Sequence, residues 1–146
     1  MTSEAPPETI EEQVLAGGDD HLRRLAAEGL LPLSPERLIR LQVQLARDAD
    51  SEVGTLAATA LREIEPRIAA PVLARETDVA VLEFFAANAD HPLLLETVAR
   101  SRAAPVGALR DLASRSPGEV QEVLILRQDA ILEEPGILDA LEENAA

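Results

Sequence analysis

Apolar positions recur along this chain at helical rather than strand spacing. From Pro35 to about Arg47, Leu38, Leu41 and Leu45 fall at i, i+3 and i+7, one face of a helix. Over 78–88, Val81, Leu82 and Phe85 form an i, i+1, i+4 stripe, and Ala108, Leu109 and Leu112 form the same stripe over 105–114. The equivalent set in 51–63 is Thr55, Leu56 and Thr59, with one large apolar residue. Further helices are predicted over 66–75, 92–100, 117–127 and 135–143. No segment alternates with period two and β-branched enrichment, so no strand is predicted.

Punctuation agrees with these assignments. Residues Glu8 to Leu15 form a short helix closed by Gly17-Gly18, and Asp19-Asp20 cap the next one, which runs to about Glu28. Gly29 and Pro32 interrupt. Ser34-Pro35-Glu36 is a start signal: a capping hydroxyl, a proline whose missing N–H costs nothing at the first helical position, and an acid. Asp50 or Ser51, Thr77, Asp90, Ser116 and Glu134 stand where later caps are needed. Pro66, Pro92, Pro105, Pro117 and Pro135 stand at or near helix starts. Pro71 falls inside 66–75 and predicts a kink or a short 3₁₀ piece there.

Two phrases recur. Ser51-Glu-Val-Gly-Thr-Leu56, Thr77-Asp-Val-Ala-Val-Leu82 and Ala104-Pro-Val-Gly-Ala-Leu109 begin 26 and 27 residues apart. Leu45-Ala-Arg47, Leu73-Ala-Arg75 and Val98-Ala-Arg100 stand 28 and 25 apart. A period of this length implies supersecondary units that bury their apolar faces by stacking on one another. The expected fold is all-α: a right-handed α-solenoid of short helices in a single domain over 8–146. Its clearest repeats lie at 45–127, an acidic C-terminal cap spans 129–146, and the N-terminal segment 1–7 is disordered. Ala86-Ala-Asn-Ala-Asp-His-Pro-Leu-Leu-Leu95, continuing through Val98-Ala-Arg-Ser101, resembles the phrase A-x-N-P-x-x-P … L … L-A of bacterial leucine-rich-variant and HEAT-like repeat proteins. Asn88 and Pro92 match it, and Ala89 replaces its first proline. The resemblance implies a superhelix whose usual role is protein–protein interaction.

Composition narrows the chemistry. The 146 residues include no Cys, Trp or Tyr, and Phe84 and Phe85 are the only aromatics. Thiolate catalysis, disulfides and cysteine-ligated metals are thereby excluded, and a cytoplasmic location is expected. Met1-Thr-Ser-Glu-Ala-Pro-Pro7 is neither basic nor apolar, so no signal peptide is expected. No apolar run approaches a membrane span. The net charge of −14 is concentrated at the ends: residues 1–20 and 129–146 each hold six acids and no base, while 21–128 holds 15 acids and 13 bases, all arginine. That balance, without aromatic platforms, argues against nucleic-acid binding.

No catalytic or metal constellation emerges. His21 and His91 stand 70 residues apart, each without a signature. For His91, beside Asp90 at a helix start, a capping role suffices. Asp48, Asp50 and Glu52 mimic a calcium loop, but the glycine and glutamate such a loop requires are replaced by Val53 and Thr59. Gly17-Gly18 is followed by two aspartates, and the chain has no lysine, which removes a phosphate loop. No cofactor is expected.

The recurring Arg47, Arg75, Arg100 and Arg127 are the candidate partner-binding residues, with Arg102 beside them and Phe84 as an apolar anchor. Two roles are open to the arginines. They offset helix C-terminal dipoles and pair with Asp48, Glu76 or Asp129, or they form a stripe that holds an acidic segment. The function expected is a non-catalytic protein-binding adaptor or scaffold using one solenoid face. The alternatives are an acidic regulator or nucleic-acid mimic directed at a basic partner, and a cryptic repeat-fold enzyme acting on nucleic acid. The oligomeric state stays open.

Overall fold

The computed structural model describes residues 9–48 and 51–145, all of them helix or connecting turn, with no strand among them. The expected disorder of 1–7 and the capping role of Asp50 lie outside the described residues. The chain divides into two compact units, Met1–Leu61 and Arg62–Ala146.

The first unit holds α1 (Ile10–Ala16), α2 (Asp20–Ala27), α3 (Pro35–Ala46) and α4 (Glu52–Arg62), the last of which ends at the boundary. Each helix starts on a side-chain cap. Thr9 Oγ1 accepts from Glu12 N at 3.1 Å, Asp19 Oδ1 from Leu22 N at 3.1 Å, and Ser34 Oγ from Arg37 N at 3.4 Å. Ser51 Oγ accepts from Gly54 N at 2.9 Å. These bonds satisfy amides that a helix start leaves without partners. Gly17 ends α1 in the left-handed region at φ 78°, and Gly29 follows α2 at φ 79°; both angles favour a residue with no Cβ.

Val14, Ala26, Ala27, Leu31, Leu41, Leu45, Val53 and Ala57 form the core of this unit, with Leu38 packed at its edge. The α4 face that reaches it is Val53 and Ala57. The predicted stripe is not buried: Thr55 and Thr59 are exposed and Leu56 is only half-buried. A threonine-rich face gains less from leaving water than one carrying Val and Ala, so the latter turns inward. Gly54 lies at the tightest approach, where a Cβ would stand 1.9 Å from the Asp48 carbonyl oxygen. Arg37 holds Glu11 in a fork of 2.6 and 2.7 Å, and Arg24 meets Glu52 at 2.7 Å.

The second unit holds α5 (Pro66–Arg75), α6 (Val79–Asn88), α7 (Pro92–Arg100), α8 (Val106–Arg115), α9 (Gly118–Ile125), α10 (Gln128–Glu133) and α11 (Gly136–Ala145). Alternate helices pack on one another. One row is α5, α7 and α9, the other is α6, α8 and α11, and α6–α7, α7–α8 and α8–α9 contacts join the rows. The stripes Val81, Leu82, Phe85 and Ala108, Leu109, Leu112 are buried, together with Leu73, Val98, Leu124 and Ile137. Each large apolar side chain withdrawn from water contributes about 1.5–3 kcal/mol.

Several boundaries differ from the sequence expectation. α5 runs as α-helix through Pro71. Proline removes a single amide donor there, and its ring sits on the exposed side of the helix. The cap of α6 falls one residue later than expected: Asp78 Oδ1 accepts from Ala80 N at 3.0 Å. At α7 the cap is His91, as its place at the helix start allowed, rather than Asp90: its Nδ1 accepts from Leu93 N at 3.1 Å. Ser116 does not cap α9, and its Oγ is buried without a hydrogen-bond partner among the described residues. α10 was not predicted at all. It has six residues, no side-chain cap, and only Ala130 and Ile131 buried.

Candidate functional site

Side chains from later helices close the C-terminal ends of earlier ones. Four carbonyls at a helix end have no amide partner within the helix. At the end of α6, Arg115 donates to Ala86 O at 2.6 and 2.9 Å and to Ala89 O at 2.8 Å. Beyond α7, Arg127 Nη1 donates to Ala99 O at 2.7 Å and Ser101 O at 3.0 Å. Asn144 does the same for α8, reaching Ala113 O at 3.1 Å and Ser116 O at 2.8 Å. The cationic heads of Arg115 and Arg127 lie at the negative end of the helix dipole, where a charge is stabilised.

The predicted arginines therefore separate into different roles. Arg127 is drawn inward, its side chain only 12% exposed, and its other edge grips Asp129 through two bonds of 3.0 Å. That fork from Arg127 holds the Asp129 carboxyl at about 2, below its usual 3.8, with the nearby Arg102 charge adding to the effect. Arg100 pairs with Glu96, one turn back, at 2.8 Å. Arg75 ends α5 and Arg102 lies between α7 and α8; both are exposed and neither forms an ion pair among the described residues. Glu76, expected beside Arg75, is buried and accepts the Thr77 and Asp78 amides at 3.0 and 2.9 Å. Arg47 closes α3 in the first unit and is exposed. Phe84 is half-buried and meets the buried Phe85 edge-on, with ring centroids 5.7 Å apart.

A groove opens on the outer side of the second row, at residues the sequence reading did not single out. One cavity of about 540 Å³ is lined by Glu83, Ala87, Pro105, Gly107, Ala108, Arg110 and Asp111. A second, of about 180 Å³, is lined by Arg110, Asp111, Ser114, Gly136, Asp139, Ala140 and Glu143. Arg110 and Asp111 of α8 line both, so the two depressions adjoin at that helix. Small residues are prominent in their lining, among them Ala87, Gly107, Ser114, Gly136 and Ala140. Four carboxylates line them, from Glu83, Asp111, Asp139 and Glu143; all are exposed and none forms an ion pair among the described residues. The guanidinium of Arg110 lies over Gly136, close enough that a Cβ there would stand 3.4 Å from it.

A sequence signal for the groove did exist. Glu83, Arg110 and Asp139 stand 27 and 29 residues apart, as do Ala87, Ser114 and Glu143. The first interval is that of the recurring Val-x-x-Leu phrase. These positions are polar or small, and a search for buried stripes passes over them.

No protein-family model matches this chain, nor does any curated protein or solved structure. Among the described residues no group of three or more His, Asp or Glu is placed to hold a metal ion. No helix there is long and apolar enough to cross a membrane.

Proposed function

We propose that this chain is a non-catalytic protein-binding module, an adaptor or scaffold. Its second unit is read as a short right-handed α-solenoid of the HEAT-like or leucine-rich-variant kind, working in the cytoplasm. The observation that carries the reading is a pair of adjoining open depressions along one row of helices, sharing Arg110 and Asp111. Shallow, open and lined largely by exposed polar and small residues, they suit a peptide segment better than an enclosed small molecule. The alternate packing of α5, α7, α9 and of α6, α8, α11 supports the solenoid, because stacked repeats contact their neighbours in this way.

The test is comparative capture. Ser114→Arg places a long cation in the groove from an exposed position and leaves the core intact. Immobilised parent protein is expected to retain a discrete set of proteins that the S114R variant loses. Identical retention by both proteins, with circular dichroism showing both folded, overturns the module reading for this groove.

A further inference from the structure

Two pairs of arginines occupy equivalent places in successive turns of the second unit, and only one pair is neutralised. Arg75 is the last residue of α5 as Arg100 is of α7, and Arg102 stands two residues past α7 as Arg127 stands two past α9. The register agrees in a second respect. Arg127 reaches carbonyls 28 and 26 residues back, at Ala99 and Ser101. The same steps from Arg102 lead to Ala74 and Glu76, at the end of α5.

At the later turn each arginine holds a carboxylate of its own chain. Arg100 grips Glu96, four residues back, at 2.8 and 3.1 Å, and Arg127 grips Asp129, two residues on, through two bonds of 3.0 Å. At the earlier turn both acids are missing: Pro71 stands four residues before Arg75, and Ala104 two after Arg102. The neighbouring carboxylates are committed elsewhere. Glu76 accepts the Thr77 and Asp78 amides, and Asp78 accepts the Ala80 amide. Asp129 feels the charge of Arg102, but both its oxygens are taken by Arg127. Arg75 and Arg102 thus stay exposed, with no ion pair among the described residues, in a chain where acids outnumber bases 27 to 13. The dipole at a helix end favours a cation there, but it acts at both turns alike and does not distinguish them.

The later turn shows what fills the earlier one. A guanidinium fork takes a carboxylate or a phosphate through paired bonds, and at the later turn both arginines hold carboxylates. Nucleic acid brings a run of phosphates against a net charge of −14, whereas a short acidic segment brings few charges. α5 and α7 pack on one another, with axes about 8–10 Å apart. Acids two residues apart on one side of an extended segment stand about 7 Å apart, a difference that long arginine side chains close. We propose, resting on the protein-binding reading above for the class of partner, that Arg75 and Arg102 hold a short extended segment of a partner protein carrying Asp or Glu at i and i+2. One carboxylate takes the place at Arg75 that Glu96 takes at Arg100. The other takes the place at Arg102 that Asp129 takes at Arg127.

The full chain is titrated by fluorescence anisotropy with a labelled twelve-residue peptide of alternating glutamate and alanine. Salt is held at about 150 mM, where screening over about 8 Å subdues the repulsion between two acidic molecules. The same peptide with glutamine in place of glutamate, and an oligodeoxynucleotide, serve as the other probes. Saturable binding of the glutamate peptide alone is expected. Arg75→Gln with Arg102→Gln is expected to weaken it about tenfold or more, as two charged forks are lost. Arg47→Gln with Arg67→Gln removes two exposed arginines elsewhere and the same net charge, and leaves binding unchanged. Pro71→Glu, at an exposed position, gives Arg75 the internal acid that Arg100 has and weakens binding several-fold, while Pro71→Gln does not. Circular dichroism checks that each variant is folded. No saturable binding of the glutamate peptide, equal affinity for the parent and the Arg75→Gln, Arg102→Gln variant, equal losses from Pro71→Glu and Pro71→Gln, or tighter binding of the oligonucleotide overturns the proposal. S114R-sensitive capture without glutamate-peptide binding leaves the module reading standing and removes the acidic segment alone. Glutamate-peptide binding with identical retention by parent and S114R leaves this site standing and removes the depressions as the module's surface.

Discussion

Replacing Gly54 with alanine tests the tightest contact in the first unit. A Cβ at this position would lie 1.9 Å from the Asp48 carbonyl oxygen, 2.7 Å from its carbon and 2.9 Å from the Leu45 oxygen. Ordinary contact begins near 3.4 Å, so α4 and the end of α3 must part by roughly 1.5 Å, a shift that backbone atoms cannot absorb by rotating. The Asp48 oxygen is also anchored: it accepts from Ser51 N at 3.1 Å and from Ser51 Oγ at 2.9 Å. Parting the helices strains the turn that starts α4 and loosens Val53 and Ala57 in the core. Overpacking of this kind costs about 1–3 kcal/mol, and a lost turn hydrogen bond adds about 1 kcal/mol. The better helix propensity of alanine returns up to about 1 kcal/mol. The expected net loss is about 1–3 kcal/mol.

Urea unfolding followed by circular dichroism at 222 nm measures it, since the chain has no tryptophan or tyrosine for a fluorescence signal. Gly107→Ala is the control. Gly107 also lies in the first turn of a helix, and a Cβ there meets nothing within 4 Å; it is expected to be neutral or to stabilise by a few tenths of a kcal/mol. Gly54→Ala unfolding at the parental midpoint or above it would refute the argument from close approach.

Other outcomes follow from the caps and ion pairs. Arg127→Ala leaves the Ala99 and Ser101 carbonyls without their donor and is expected to lose about 2 kcal/mol on denaturation, with faster amide exchange at the end of α7; Arg127→Lys recovers only part, because a lysine lacks the fork that grips Asp129. The Asp129 carboxyl, lowered by Arg127, stabilises the fold fully above its unfolded value near 3.8 and loses that contribution as the pH falls to about 2. Carbon-detected NMR titration is expected to place its midpoint near 2 in the parent and closer to 3.8 in Arg127→Ala. Ser34→Ala removes the cap of α3 and is expected to lose about 1 kcal/mol, read as a lower urea midpoint.

The sequence made helices legible where several signals coincide at one place. Ser34-Pro35-Glu36 with the Leu38, Leu41, Leu45 period marked α3, because cap, proline and apolar period agree there, and the Val81, Leu82, Phe85 stripe marked α6 by its apolar period. α4 misled because its recurring phrase and its buried face are different sets of residues. Val53, Gly54 and Ala57 turn inward, and the choice depends on what α3 offers opposite them. α10 carries too few apolar residues to leave a period. For the arginines, their recurrence was visible but their targets were not. A carbonyl that Arg127 reaches 28 residues back leaves no mark in the sequence around either residue. The two depressions were hidden for a related reason: their lining includes alanine, glycine and serine, whose significance depends on the helices beside them.

The backward-reaching caps also set an order in time. The end of α6 closes only when Arg115 arrives, 26–29 residues after the carbonyls it serves, and the end of α8 only with Asn144. During synthesis each of these helices therefore emerges with a frayed end that stays open until a helix two or three places later is made. Maturation follows translation from α6 towards α11, and a pause within that interval leaves an unfinished end exposed to proteases and chaperones.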